Sequence, residues 1–344
     1  MLQILNNYDE LQKLLQNSGK NILFIHGKSA EKFSRLYECL SDKRVVHFTG
    51  FTPNPKIEDA NAASEFFRLN KCGVILAVGG GSAIDVAKYV KLNNPDSMLV
   101  VIPTTAGSGS EATKFAVLYE DGKKLSISAG NPQRGTDEKL IPDFVLFDSE
   151  LLKYLPDYHR KSSALDALSH ALESFWSVNA SESSKKFSRE ALTNITRLLE
   201  NYPDSYNPEE MLKNSYTAGQ AINLAQTTAG HAMCYKITGL YNIAHGHAAA
   251  LCNRVLFKWL ISHENLPVLK EIAESMNCGT PEEAAEKFNA IFERLNLQIP
   301  EANDQEIKIL SESVNPERLK NFPAKLDLFT IKNLYMEILN YNGR

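Results

Sequence analysis

Along the first half of the chain, short apolar runs alternate with stretches whose apolar residues recur at helical spacing. Asn21–His26 (NILFIH), Arg44–Phe48 (RVVHF), Gly73–Val78 (GVILAV), Met98–Ile102 (MLVVI) and Phe144–Phe147 (FVLF) are rich in Val, Ile, Leu and Phe and too short for helices. Runs that are apolar on both faces belong to strands buried in a parallel sheet. Ala30–Leu40, Lys56–Leu69 and Ser82–Leu92, lying between them, have helical periodicity. The alternation predicts an α/β domain, a parallel sheet with helices on both faces. Phe115–Ser128 places a Glu-Asp-Gly turn between alternating segments, which predicts a β-hairpin laid on that sheet.

After Pro156 the strand signals stop. Ser162–Ser177, Ser184–Asn201, Glu209–Lys236, His247–Ile261, Leu266–Met276 and Pro281–Leu295 all read as helices. The last opens with Thr280 at the N-cap, Pro281 at N1 and Glu283 at N3. Asn315-Pro316 and Thr330 open two further short helices by the same logic. A chain of 344 residues exceeds what one core usually serves, so two domains are expected: 1–158 as α/β and 159–344 as all-helical.

Composition excludes more than it selects. A formal charge of -4 gives no electrostatic reason for nucleic acid or an anionic membrane as partner. Five scattered cysteines, never spaced CxxC, predict a reducing compartment; Cys234 reads as a small packed thiol. Met1–Leu15 has Asp9 and Glu10 where a signal peptide has its apolar core. No apolar run approaches the roughly 18 residues of a membrane span, so a cytoplasmic location is expected.

Gly79-Gly80-Gly81-Ser82 follows one strand directly and opens a helix. Glycines let the backbone approach a phosphate, and the helix N-terminus adds unpaired N–H groups and a positive dipole end. A second turn after a strand, Pro103–Glu111 (PTTAGSGSE), offers Thr104, Thr105 and Ser108. Two such turns at the carboxyl ends of neighbouring strands predict a Rossmann-like dinucleotide site. Asp85, one turn on, suits the helix dipole and joins the cofactor candidates; Lys88 reads as a helix charge facing water.

Three of the eight histidines, His231, His245 and His247, fall within Gly230–His247. Upstream, Asp166 and His170 stand four apart on a predicted helix, hence on one face. A carboxylate and imidazoles gathered from such positions can surround one divalent ion. His26, His47, His159 and His263 stand alone and read as ordinary residues.

These motifs together resemble the iron-containing (group III) alcohol dehydrogenases over nearly the whole chain. The carriers are TPNP (Thr52–Pro55), GGGSAIDVAK (Gly79–Lys88), PTTAGSGSE, ALDALSHALES (Ala164–Ser174), and His231 with His245 fourteen later. The resemblance implies a dehydroquinate synthase-like architecture and a homodimer. It implies a metal held by Asp166, His170, His231 and His245, with Fe²⁺ favoured by the family name and Zn²⁺ equally suited by ligand chemistry. It also implies NAD(P)H with its pyrophosphate at Gly79–Ser82, the cofactor site being lined by Asn54, Thr104, Thr105 and Lys124. The substrate would be a small aldehyde or alcohol.

Departures sharpen the expectation. Many relatives carry an Asp after the first strand to accept the adenosine ribose; here Gly27 is followed by Lys28 and Ser29. Losing that carboxylate and gaining Lys28 favours acceptance of NADPH. Tyr235 stands where many relatives have a proton-carrying histidine, so Tyr235 and His247 are the catalytic candidates. The wording around Gly230–Ala248 is most similar to the phosphonoacetaldehyde reductase branch, with Arg254 and Lys236 as candidates for the dianion. Two alternatives remain in the same reading, a general short-chain alcohol dehydrogenase and a lyase like dehydroquinate synthase; the latter uses a Glu-His-His metal set, against which the Asp166/His170 spacing argues. A non-catalytic nucleotide or metal sensor is the third.

Overall fold

The computed structural model of the chain describes residues 2–27, 33–41, 43–120, 123–128 and 140–343, with the side chains of 123, 124 and 128 left aside. It divides into two compact units, Met1–Leu155 and Pro156–Arg344. The division falls three residues before the expected one because the first helix of the second unit already begins at Asp157.

In chain order the first unit contains β1 (Gln3–Leu5), α1 (Tyr8–Ser18), β2 (Asn21–His26), α2 (Ser34–Leu40), β3 (Val45–Phe48), α3 (Ile57–Leu69), β4 (Cys72–Gly79) and α4 (Gly81–Asn93). It continues with β5 (Met98–Pro103), β6 (Phe115–Glu120), β7 (Lys123–Ser128) and β8 (Phe144–Leu146). Six strands form one parallel sheet in the order β1-β8-β5-β4-β2-β3. Its strands are apolar on both sides because both sides are covered. Leu23, Ile25, Ile75, Ala77, Leu99 and Val101 pack against α3 and α4, whereas Ile22, Phe24, Val74, Leu76, Val100 and Ile102 pack against α1 and α2. The strand order reverses between β2 and β4, and the turns leaving those strands are Gly27 and Gly79–Ser82. Ligands of doubly wound sheets bind at such a switch point.

The hairpin β6–β7 is antiparallel, as its turn signal predicts. What anchors it corrects the reading of α4. Lys88 is fully buried, its Nζ donating to the Thr113 carbonyl (2.6 Å), Thr113 Oγ1 (3.0 Å) and the Phe115 carbonyl (2.8 Å). Asp85 is buried too, accepting from the Val117 N–H at 3.1 Å. Neither is the solvated helix charge expected: one turn apart, they tie α4 to the hairpin. Burial pushes the Lys88 ammonium down to about 8 and the neighbouring Glu111 carboxyl up to about 7. His26 and His47, expected to stand alone, meet across β2 and β3 with ring nitrogens 3.0 Å apart.

The second unit contains α5 (Asp157–Trp176), α6 (Glu182–Glu200), α7 (Pro208–Ala225), α8 (Ala229–Tyr241), α9 (His245–His263), α10 (Val268–Ser275) and α11 (Pro281–Arg294). After these come β9 (Glu301–Ala302), α12 (Asp304–Ser313), α13 (Pro316–Leu319), α14 (Leu328–Ile338) and β10 (Asn340–Tyr341). It is helical apart from β9 and β10, a two-residue parallel pair. The predicted single helix Glu209–Lys236 is two, because Gln226 takes a left-handed φ of 62° and ends α7. α14 starts before Thr330 because Asp327 is its cap, accepting from the Thr330 N–H. Ala164–Trp176 of α5 is buried throughout and packs against α6, α7 and α9. A helix buried on every side makes each of its polar residues conspicuous. No helix among the described residues is long and apolar enough to cross a membrane.

Replacing Lys88 with Met keeps the volume but strands the Thr113 and Phe115 carbonyls without their donor. The expected cost is about 2–4 kcal/mol, read as a lower denaturant midpoint of the first unit's transition. An unchanged midpoint would contradict the anchoring role.

Candidate functional site

In the first unit, the two turns singled out in the sequence pack together. A Cβ added to Gly80 would lie 3.1 Å from Thr105 Oγ1, and one on Gly81 would lie 3.1 Å from Ser108 Cβ. At Gly79 it would come 2.6 Å from Ala83 Cβ. A side chain at Gly79 would therefore clash within its own turn, and at Gly80 and Gly81 it would press on the second turn. The Thr104 N–H donates to the Gly79 carbonyl at 3.0 Å, stitching their bases. Gly80 caps α4 without a side-chain hydrogen bond, so the first N–H groups of that helix remain available to an anion. Gly80, Gly81, Ser82, Thr104, Thr105 and Ser108 are all partly exposed along this rim, and Gly27 has open space around it. Asn54 is exposed with a left-handed φ of 58°. Asp85 turns away from the cradle towards the hairpin, as described, and does not join it. Lys28 and the Lys124 side chain lie outside the described residues.

In the second unit, α5, α8 and the start of α9 bring Asp166, His231 and His245 together, one ligand atom from each lying within 4.8 Å of the others. Asp166 Oδ1 and His231 Nε2 face each other at 3.4 Å, buried and with no hydrogen-bond partner. Ligands on a tetrahedral ion with bonds of ~2.1 Å are about 3.4 Å apart. A buried carboxylate oxygen and imidazole nitrogen left unpaired at that separation suit a divalent cation. His170 is not within the closest three; its Nε2 is 3.8 Å from Asp166 Oδ1, and its ring stacks on His231 at 4.6 Å. Burial alone would raise the Asp166 carboxyl, but His170, His231 and His245 outweigh it and hold the group well below the ordinary carboxylate range.

Two glycines make the approach possible. A Cβ on Gly246 would overlap the Ser162 carbonyl and come 2.5 Å from Asp166 Cβ, so α9 can start against α5 only with glycine there. A Cβ on Gly230 would overlap Asn253 Oδ1 and approach Glu173 Oε1 to 2.6 Å.

Glu173 is the residue that motif reading missed. It is completely buried, yet its Oε1 accepts from His231 Nδ1 at 2.5 Å and Asn253 Nδ2 at 2.8 Å. Its Oε2 accepts from the Thr228 N–H (2.6 Å) and hydroxyl (2.8 Å) at the N-terminus of α8. The carboxylate thus fixes the His231 ring so that Nδ1 bears the proton and Nε2 faces Asp166. Burial opposes its charge, but His231 and the donated hydrogen bonds bring Glu173 down to about 2. Against the same cost of burial, Glu173 and Asp166 raise the His231 imidazole. A signal was present: seven residues after Asp166 and three after His170, Glu173 shares their face inside an apolar helix. Cys234, expected only to pack, donates to the His231 carbonyl at 3.3 Å, with His245 Nδ1 3.5 Å from its sulfur.

Tyr235 lies at this centre, its ring stacked on His245 at 5.4 Å and 9°. His247 does not. Two residues along a helix turn a side chain about 200° round it, so His247 points away from the Asp166 group. Its Nδ1 is 3.3 Å from the Tyr158 hydroxyl, its ring meets Phe292, and burial pushes it down to about 4. It lines a separate cavity of ≈ 890 Å³ with Tyr158, Tyr241, Gln298 and Asn340, to which no metal candidate contributes. Arg254 is about 180° round α9 from His245 and about 13 Å along it, its guanidinium lying 5.3 Å over Phe292. Lys236 is exposed, about 140° round α8 from His231. Neither basic residue stands at the metal centre; closeness in sequence misplaced both.

The first unit is shaped to receive a nucleotide and the second a divalent cation, which defines a metal-dependent, nucleotide-linked enzyme. Residues 3–149 match the family model of iron-containing alcohol dehydrogenases and 161–314 the C-terminal model of the same family. The chain is 30% identical over 287 residues to long-chain-alcohol dehydrogenase 1 of Geobacillus thermodenitrificans, covering 75% of this chain and 70% of that one. It is 27% identical over 337 residues to phosphonoacetaldehyde reductase of Streptomyces viridochromogenes, covering 85% and 82%. Sulfoacetaldehyde reductase from Bifidobacterium kashiwanohense, solved with NAD+, has the same fold, with a TM-score of 0.86 at 23% identity over 98% of this chain and 96% of that one. The chain belongs to the iron-containing alcohol dehydrogenase family, oxidoreductases that use NAD(P) and iron.

Replacing Glu173 with Gln retains the shape but removes the charge facing His231 Nδ1. Metal affinity is expected to fall about 10–100-fold, measured by competition against a chromogenic chelator. Unaltered affinity would show that Glu173 does not orient the ligand.

Proposed function

We propose that this protein is a metal-dependent, NAD(P)H-linked aldehyde reductase whose substrate is phosphonoacetaldehyde, reduced to 2-hydroxyethylphosphonate. The observation that carries the reductase reading is the convergence of Asp166, His231 and His245, in which buried Asp166 Oδ1 and His231 Nε2 face each other at 3.4 Å without a hydrogen-bond partner. The phosphonate reading is supported by the 27% identity to the Streptomyces phosphonoacetaldehyde reductase across most of both chains.

In this reading Asp166, His231 and His245 hold the cation, with His170 completing the set. When bound, the ion supplies Lewis-acid polarisation of a carbonyl oxygen, and the nicotinamide supplies hydride. Glu173 keeps the His231 proton on Nδ1, leaving Nε2 free to coordinate. The Tyr235 hydroxyl accepts from Arg318 at 3.1 Å, which leaves its own proton to be donated towards the product alkoxide. Gly80, Gly81 and the α4 N-terminus receive the pyrophosphate, and Thr104, Thr105 and Ser108 flank it. Gly27 presents no carboxylate to repel a 2′-phosphate, so NADPH is accepted. The net reaction consumes one aldehyde, one hydride and one proton.

The test is coenzyme oxidation, followed at the nicotinamide absorbance, with NADPH and NADH and a panel of aldehydes including phosphonoacetaldehyde. Turnover should vanish after dialysis against a metal chelator and return with Fe²⁺ or Zn²⁺. Turnover of uncharged aldehydes alone would defeat the phosphonate assignment. Turnover of none, or indifference to the chelator, would defeat the reductase reading.

A further inference from the structure

Arg254 and Lys236 do not reach the Asp166 group, but a different cation stands beside Tyr235. Arg318 on α13 donates from Nη1 to the Tyr235 hydroxyl at 3.1 Å, and its guanidinium carbon lies 5.0 Å over the Tyr235 ring. The same ring also stacks in parallel on His245 at 5.4 Å. The guanidinium is thus two ring contacts from a candidate metal ligand. The backbone places both partners: α8 carries Tyr235 one turn beyond His231, and Asn315 caps α13 with Pro316 at its first position.

Arg318 is half-buried and has no carboxylate within 4 Å among the described residues; the adjacent Glu317 is taken by Lys320 at 2.6 Å. A cation–π contact restrains a guanidinium without using its edge donors. Of its five N–H groups one is engaged by Tyr235, and the rest form a planar fork suited to two oxygens of one anion. We propose that Arg318, held by Tyr235, is the specificity-determining residue of this enzyme. It selects aldehydes that carry a tetrahedral oxyanion, phosphonate or sulfonate, on the carbon adjacent to the carbonyl carbon. This rests on the reductase reading and names the residue that would confer its substrate class.

The experiment compares kcat/KM for phosphonoacetaldehyde, sulfoacetaldehyde and uncharged propionaldehyde in the metal-loaded wild type, Arg318→Gln, Arg318→Lys and Tyr235→Phe. In Arg318→Gln, the ratio of kcat/KM for either anionic aldehyde to that for propionaldehyde should fall about 10- to 100-fold, with the loss in KM. Arg318→Lys should recover part of the ratio by keeping the charge, and Tyr235→Phe should lower it less than Arg318→Gln. Calorimetric titration with 2-hydroxyethylphosphonate and 2-hydroxyethanesulfonate reads the same subsite without turnover, and Arg318→Gln should weaken both. Whichever wild-type ratio is larger identifies the anion. Unchanged ratios in Arg318→Gln, or a wild type that favours propionaldehyde, would overturn the assignment while leaving the reductase reading intact. A wild type that turns over none of the three would overturn both.

Discussion

The second unit is organised by two buried carboxylates, Asp166 and Glu173. They lie two turns apart on α5, and His231 stands between them with a ring nitrogen towards each. Burying an ionised carboxylate costs several kcal/mol unless it is paired and hydrogen-bonded. Glu173 meets that requirement with four donors from His231, Asn253 and Thr228. Asp166 Oδ1 meets it only in part: His231 Nε2 lies 3.4 Å away and His170 Nε2 3.8 Å away, and neither Asp166 Oδ1 nor His231 Nε2 has a partner with hydrogen-bond geometry. One end of the chain of charge is closed by protein hydrogen bonds; the other offers a carboxylate oxygen and an imidazole nitrogen at the separation of two ligands on one ion.

The neighbouring elements follow from that arrangement. The Glu173 carboxylate sits where the N-terminus of α8 has unpaired N–H groups, so a single anion both caps a helix and aims a histidine. A side chain at Gly246 would collide with α5, and one at Gly230 would collide with Asn253 of α9 and Glu173 of α5. In the first unit, Gly80 and Gly81 likewise let the Thr105 and Ser108 turn close over the start of α4. Lys88 resembles Glu173 in kind: a buried charge satisfied by three acceptors, tying α4 to the hairpin.

Much of this was legible before the structure, for identifiable reasons. The long strands β2, β4 and β5 announce themselves because a sheet covered on both faces requires unbroken apolar runs. β1 does not, since three residues of Gln-Ile-Leu carry no period, and α12 hides because its strongest signals are its caps, Asn303 and Glu306. Asp166 and His170 stand out because four residues apart on a helix is one face, whereas His231 and His245, on separate helices, are marked as ligands by the family resemblance. Residues chosen by nearness in sequence fared differently. His247 follows His245 by two positions, which on a helix is nearly the opposite side, and Arg254 and Lys236 fail by the same geometry. Arg318 lies on a four-residue helix far along the chain; only folding brings it to Tyr235.

The claim on which all this depends is that the unpaired atoms of Asp166 and His231, together with His245, embrace one cation. Anomalous diffraction from crystals grown with Fe²⁺ or Zn²⁺ tests it directly. The expected result is one ion per chain at about 2.0–2.2 Å from Asp166 Oδ1, His231 Nε2 and a His245 ring nitrogen. An ion bound elsewhere, or those three side chains engaged only with one another at saturating metal, would contradict it.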